Sequence, residues 1–516
     1  MTLLSTRVRS WALFGGVALP LMVGMLTGGG KESTPDEAAF LYAVTVWRHG
    51  SVLYRDVFLG VTPLSVYVTG SLMACFGDEA LVLRALIHAC VAAAALLSAR
   101  LVIRLGGSDS AAAATALATV TGMTIYCLSQ PSAAYSPLAV VWLLGAWLVD
   151  AGGHGYYRAV LAGALAGLAF STKQNIGLLV LLALGLRLAL QAWRQTAPHV
   201  LWRVALQLAG FVAAIAVTLA PVWWSGGRAD FLDLCFRHKT VYMAMAGTRY
   251  LSDVSLDPIV WAWNGRWSGL TRWTTLWLHL LPLTVAGLFA LRYWQHGEAR
   301  ARTEGVLVFV AAAAASLYPR ADSIHVLVVS PPLLVGAAYL WDEARRHWPS
   351  VTRWCGMALV AVWANAAVYA HLVPVYKNAT GQMVAADLPH FRGTRWPPDV
   401  LATLRQNASA LRKTATEVGP PFLLMPSAAF FYLIAEVRSP TPYIYPLVTA
   451  FGTGGEDATV QRIQDGSLRA VCVGNLGPAK LAPQRLPNFV KSKMVPSEDL
   501  KFCRLYRLQA GPPGNR

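Results

Sequence analysis

Charge is scarce in this sequence of 516 residues: only 13% are Asp, Glu, Lys or Arg, whereas 55% are hydrophobic. Soluble domains carry about 25% charged residues. A chain this long with so few charges could not cover its surface in water. The composition therefore excludes an ordinary cytosolic enzyme and a disordered chain, and it predicts a protein embedded in a lipid bilayer.

Acidic residues are scarcer than basic ones. The 26 Asp and Glu against 43 Lys and Arg leave a formal net charge of +17. This sign fits nucleic acid, anionic lipid or a phosphate-bearing substrate, and the positions of the charges must decide among these partners.

Cysteine is sparse, and nucleotide-binding motifs are absent from the sequence. The seven cysteines show no CxxC or Cys/His spacing, so the sequence indicates no zinc site. Cys472 and Cys503 both lie in strand-like runs, where they form a disulfide in an oxidising compartment or remain two core thiols. No GxGxxG or P-loop motif supports a nucleotide site.

Long apolar runs are abundant. A transmembrane helix needs about 20 mostly apolar residues, and about eleven runs qualify. They lie at 11–29, 80–104, 108–128, 134–150, 157–172, 175–193, 200–224, 271–292, 304–318, 323–342 and 354–374. Two closely spaced pairs of short runs leave this count open by about two. The first run resembles a signal peptide but lacks a small-x-small cleavage site, so we expect an uncleaved helix.

The orientation of the spans follows from basic residues in the short loops. With the N-terminus in the cytoplasm, every predicted inner loop carries arginine: Arg7, Arg9, Arg100, Arg104, Arg158, Arg187, Arg194, Arg203, Arg292, Arg300, Arg302, Arg345, Arg346 and Arg353. The rule applies to short loops only, so basic residues in the long outer loops 30–79 and 225–270 do not contradict this orientation. Lys173 and Arg320 lie in very short outer turns, which the rule does not explain.

The composition changes near residue 376. Before it, residues 1–375 form the predicted membrane domain. After it, residues 376–516 alternate between helix-like and strand-like runs, among them the strand-like PFLLMPS and LRAVCVGN. An odd number of spans places this part outside, so we predict a small extracytoplasmic α/β domain.

The first outer loop carries candidate catalytic carboxylates. Asp36 and Glu37 are adjacent, and Arg55 and Asp56 follow among apolar residues. A carboxylate at a lipid–water boundary with basic neighbours can serve as a general base. The simpler alternative is that Asp36 and Glu37 cap a helix and that Arg55 and Asp56 form a local ion pair.

Two further outer turns concentrate ionisable residues. Lys173 lies in the turn of AFSTKQNIGL, where snorkelling to the headgroups is the alternative to a function. Arg320, Asp322 and His325 follow in SLYPRADSIHV. Together with the first loop, they gather carboxylates and cations at one membrane face. Such an arrangement suits a reaction in which a lipid-linked phosphate leaves and an acceptor hydroxyl is deprotonated.

These motifs resemble a known group of proteins. The pattern PDEAAFLYAVTVWRHGSVLYRDVFLGVTPL, then Arg84 opening the next span, GLAFSTKQ and YPRADSIH, is similar to the GT-C superfamily of membrane glycosyltransferases. The bacterial branch related to protein O-mannosyltransferases (family 39) and to the lipid A aminoarabinose transferase is the most similar. The resemblance covers most of residues 1–375, and an outer α/β domain is also typical of the superfamily.

The resemblance implies roles for individual residues. Asp36 matches the catalytic base, with Glu37 as its supporting neighbour. Arg55 and Asp56 match the segment that shapes the donor and acceptor site. The residues that match groups near the lipid phosphate are Lys173, Arg320 and His325, with Asp322 beside them.

The resemblance also implies a reaction. The sugar comes from a polyprenyl-phosphate donor and is transferred with inversion to a glycan, lipid or protein at the extracytoplasmic face of the bacterial inner membrane. The next outer loop, SQPSAAYSPL, lacks the second acidic motif of some members, so we expect no required metal and no other cofactor. Nucleic acid is not an expected partner. The alternative from a different class is a transporter or flippase of a lipid-linked or anionic solute.

Overall fold

The computed structural model of the protein describes residues 35–129, 134–153, 155–194, 199–248, 250, 279–357, 372–418, 422–425, 429–444, 450–474, 483–500 and 502–508. The predicted span 11–29 lies outside these residues, as do 271–278 of the predicted span 271–292 and 358–371 of the predicted span 354–374.

Helices dominate the described part of the membrane domain. The loop 30–79, which we predict to be the first outer loop, contains α1 (Pro35–Arg48) and α2 (Leu64–Phe76). Six long helices follow: α3 (Ala80–Arg104), α4 (Asp109–Ser129), α5 (Tyr135–Ala151), α6 (Tyr156–Thr172), α7 (Gln174–Trp193) and α8 (Val200–Trp224). Next come α9 (Arg228–Leu232), a π-helical turn (Asp233–Arg237), α10 (Lys239–Ala246), α11 (Thr284–Trp294), α12 (Gly297–Ala315) and α13 (Ser323–His347).

Four of the described helices, α3, α7, α8 and α13, are long and apolar enough to cross a membrane. The bounds of α3 to α8 agree with the predicted spans between 80 and 224 to within one residue at each end. The predicted total of about eleven spans stays a prediction.

Small residues let α6 and α8 approach closely. A side chain on Gly163 of α6 would collide with the backbone of Gln207, and one on Gly210 of α8 would collide with the backbone of Val160. Such contacts between helix backbones are a usual means of packing helices in a bilayer. Because α6 is held in this way, the turn that follows it has a fixed position.

The C-terminal part contains a small mixed sheet, as predicted. Its strands are β3 (Phe422–Met425), β4 (Ala470–Gly474), β5 (Val495–Leu500) and β6 (Cys503–Arg507), in the spatial order β3-β4-β6-β5. β3 and β4 are parallel and the other neighbours are antiparallel. A separate two-stranded ladder joins β1 (Val384–Ala385) and β2 (Arg395–Trp396). The described helices of this part are α14 (Val373–Ala379), α15 (Pro398–Val418), α16 (Ala429–Ala435), α17 (Gly455–Gln464) and α18 (Arg485–Lys493).

The structure chooses between the two alternatives for the strand cysteines. Cys472 of β4 and Cys503 of β6 form a disulfide across 31 residues of sequence. Closing such a loop restricts the unfolded chain, which stabilises the folded sheet.

The C-terminal part packs against the first outer loop. The backbone N–H of Ser439 donates to the hydroxyl of Tyr42 in α1 at 2.8 Å, and the N–H of Phe58 donates to the carbonyl of Pro442 at 2.8 Å. The sheet and the loop that carries Asp36 therefore lie at the same end of the helices.

Candidate active site

Asp36 lies in the first turn of α1 and faces cations from a distant turn. The residue is accessible to solvent. The protein packed around its carboxyl group raises the pKa of Asp36, and the charges of Arg320 and His325 offset part of this rise. A raised pKa beside basic groups is compatible with a general base. The predicted role of Asp36 as the base stays a prediction.

Glu37 has a different environment. Its side chain is fully buried and forms a two-pronged ion pair with Arg84 of α3, with Nε–Oε1 at 2.7 Å and Nη2–Oε2 at 2.9 Å. The pair ties α1 to α3. The two adjacent carboxylates thus diverge, and Glu37 supports the position of Asp36 through the helix rather than by touching the same groups.

Arg320, Asp322 and His325 form a compact group where α12 gives way to α13. The Asp322 carboxylate accepts from Arg320 Nη2 at 2.9 Å, from His325 Nδ1 at 2.6 Å and from the backbone N–H of His325 at 3.1 Å. Burial raises the pKa of Asp322, but His325 and Arg320 outweigh this effect and hold it well below its ordinary range. Asp322 is therefore an ionised helix cap that also orients Arg320 and His325.

Lys173 interrupts the helical backbone between α6 and α7 with an extended conformation. Its Nζ donates to Ser136 Oγ at 3.1 Å and lies 5.8 Å from the ring centre of Tyr135. Burial and the nearby Lys239 and Arg320 lower its pKa to about 8. The side chain is thus directed towards other cations of the site, which snorkelling to the headgroups does not explain.

Lys239 and Tyr242 of α10 also belong to this region, although no motif singled them out. Lys239 Nζ lies 5.0 Å from the ring centre of Tyr242, and Tyr242 in turn interacts with Arg320. Thr248 fixes α10 beside the Arg320 turn, because its hydroxyl accepts from the N–H of Ala321 at 3.0 Å. The only sequence signal was that Lys239 is a cation in a long outer loop.

We call these groups the Asp36 cluster: Asp36, Lys173, Lys239, Arg320, Asp322 and His325. It contains two carboxylates against three Lys and Arg side chains, before any charge on His325. Clustered Lys and Arg groups bind phosphate through charge-assisted hydrogen bonds. The arrangement can therefore hold a phosphate next to a carboxylate that accepts a proton.

Arg55 and Asp56 do not join the described contacts of this cluster. They pair with each other at 2.8 Å, and Asp56 also accepts from the backbone N–H of Val52 at 2.8 Å. Half of the Arg55 side chain is exposed. The geometry gives this pair a bracing contact within its own loop, and its predicted role in substrate binding stays a prediction.

Among the residues that the structure describes, no three His, Cys, Asp or Glu side chains lie close enough to hold a metal ion. The expectation that the protein needs no metal is untested.

The fold of this chain is similar to that of a protein of known structure. No protein-family model matches the sequence, and no curated protein matches it either. The crystal structure of ArnT from Cupriavidus metallidurans in the apo state matches with a TM-score of 0.58 and 14% identity, over 97% of this chain and 98% of that one. The crystal structure of the same ArnT bound to undecaprenyl phosphate matches with a TM-score of 0.57 and 14% identity, over 98% and 99%. The chain therefore shares its fold with ArnT along nearly its whole length.

Proposed function

We propose that this protein is a membrane glycosyltransferase that transfers a sugar from a polyprenyl-phosphate donor to an acceptor at the extracytoplasmic face of a bacterial inner membrane. The observation that carries the proposal is the Asp36 cluster, in which an accessible carboxylate interacts with Arg320 and His325, and Arg320 in turn interacts with Lys173. The disulfide of the C-terminal sheet fits an oxidising compartment. Since the sheet packs on the loop of Asp36, both lie on that side.

The reaction follows from the charges of the cluster. Asp36 takes the proton of the acceptor hydroxyl, and the freed oxygen attacks the anomeric carbon of the sugar. The bond between that carbon and the phosphate oxygen breaks, and the lipid phosphate leaves from the opposite side, so the anomeric centre inverts. Lys173, Lys239 and Arg320 stabilise the departing phosphate, and Asp36 then releases its proton to water.

The raised pKa of Asp36 suits this role, because a general base works best when its pKa approaches the working pH. The fold adds support, since ArnT is known with undecaprenyl phosphate bound.

The direct test uses purified protein in proteoliposomes with undecaprenyl-phosphate mannose, glucose, galactose or arabinose. We expect one donor to release free undecaprenyl phosphate and to label an added glycan, lipid or protein acceptor. Vesicles without protein are the control. Movement of the intact donor across the membrane without cleavage would contradict the proposal and favour a flippase.

The donor KM is expected to depend on pH through Lys173. With a pKa of about 8, Lys173 is a cation below that pH and neutral above it, so the apparent donor affinity falls as the pH rises through 8. Initial rates between pH 6 and about 9.5 measure this change. Lys173→Arg keeps its charge throughout, so its donor KM should stay flat. An equally large rise of the donor KM with pH in Lys173→Arg would contradict the assignment of this pH dependence to Lys173.

A further inference from the structure

A cavity lies at the helix ends opposite the Asp36 cluster. α5 begins at Tyr135, beside Lys173, and ends at Ala151 in the cavity wall. α7 starts directly after Lys173 and lines the cavity with its last turns. These helices have 17 and 20 residues, which corresponds to about 25–30 Å. The cavity therefore faces the other side of the membrane.

Arginine dominates the wall of this cavity. Its volume is about 430 Å³, and its charged lining consists of four arginines and one carboxylate: Arg104, Arg187, Arg194, Arg302 and Glu304. Apolar wall is provided by Leu105 and Leu190. We call it the inner arginine cavity.

The positive charge of the cavity exceeds what its acids neutralise. Glu304 pairs with Arg194 at 2.5 Å, Arg292 at 2.7 Å and Arg300 at 3.2 Å. Arg187 pairs with Asp150. Arg104 donates to the backbone carbonyls of residues 151 and 152, at 3.2 and 2.7 Å. Among the residues that the structure describes, neither Arg104 nor Arg302 has an acidic partner. These two guanidinium groups can therefore bind an anion.

The positive-inside rule explains why arginines lie on this side, but it does not explain why they converge on one concave wall. Basic pockets between membrane helices on the cytoplasmic side bind the phosphates of anionic lipids. Guanidinium groups match phosphate oxygens in geometry as well as charge.

We propose that the inner arginine cavity binds the phosphate of an anionic phospholipid of the inner leaflet. Arg104 and Arg302 hold the phosphate, and Leu105 and Leu190 face the apolar part of the headgroup region. The inference is independent of the proposed glycosyl transfer, because it uses none of the groups of the Asp36 cluster.

The test compares lipid retention by purified full-length variants, measured by native mass spectrometry after exchange into phosphatidylglycerol or phosphatidylcholine. The Arg104→Gln, Arg302→Gln double variant removes two exposed cavity arginines. The matched control, Arg100→Gln with Arg346→Gln, also removes two exposed arginines, one on α3 like Arg104 and one on α13, and both lie outside the cavity. We expect the Arg104→Gln, Arg302→Gln variant to bind phosphatidylglycerol about tenfold more weakly than the wild-type protein, because it loses charge-assisted contacts, and the control variant to bind it as the wild type does.

A parallel arm adds inorganic phosphate. Failure of inorganic phosphate to displace the lipid supports a lipid headgroup site, whereas saturable phosphate binding that needs Arg104 and Arg302 overturns the assignment to a lipid in favour of a soluble anion. Equal retention by the two double variants, or equal retention of phosphatidylcholine and phosphatidylglycerol by the wild-type protein, would also overturn the proposal. Glycosyl transfer is measured on the same samples, so loss of that activity is distinguished from loss of lipid binding.

Discussion

Asp36→Asn protein is expected to fold and to lose glycosyl transfer by about 10²- to 10⁴-fold, the usual contribution of a general base. Asparagine has the size of aspartate but cannot accept the acceptor's proton. Single-turnover rates with the donor identified in proteoliposomes measure the loss. In the wild-type protein, kcat/KM should also fall as the pH drops through the raised pKa of Asp36, because the protonated carboxyl is inactive.

Two controls make the Asp36 result specific. Asp387→Asn removes an exposed carboxylate in the C-terminal part, where it pairs with Arg405 at 2.9 Å, and its rate should match the wild type. Donor binding by Asp36→Asn should be kept, because the cations of the cluster are unchanged. Wild-type turnover by Asp36→Asn would exclude Asp36 as the base.

Glu37→Ala is expected to destabilise the protein by about 3–5 kcal/mol, the usual cost of removing one partner of a buried ion pair. The substitution leaves Arg84 with only 6% of its side chain exposed and without its carboxylate. Thermal unfolding in detergent, followed by circular dichroism, measures the change.

The Glu37 prediction separates a charge effect from a packing effect. Replacing both partners, Glu37→Met with Arg84→Met, should recover much of the lost stability because no unpaired charge remains. Glu417→Ala is the matched single control: its pairs with Lys413 at 3.8 Å and Arg507 at 3.9 Å are exposed, so it should cost at most about 1 kcal/mol. A wild-type melting temperature for Glu37→Ala would contradict the structural role of the pair.

The sequence was sufficient to locate α3 to α8 and to draw attention to Lys173 and Arg320. Long apolar runs mark membrane helices whatever their neighbours are, and cations in short outer turns conflict with the usual charge distribution. Both signals are local. The agreement of α3 to α8 with the predicted spans reflects this.

Long-range partners could not be predicted in this way. Glu37 and Arg84 are 47 residues apart, and only the packing of α1 against α3 brings them together. Similarly, Lys239 meets the cluster because Thr248 pairs with Ala321, 73 residues away. Adjacent residues such as Asp36 and Glu37 look alike in sequence, yet their surroundings differ on the two sides of one helix.

The contact of the C-terminal part with α1 sets an order of events during synthesis. Tyr42 and Ser439 are 397 residues apart, and Arg438 also donates to Ser51 at 2.6 Å. At translation rates of 5–20 residues per second, about 20–80 s separate the two ends of this clamp. The loop that carries Asp36 is therefore made well before the segment that contacts it, and these contacts form only after residues 438–442 have been synthesised.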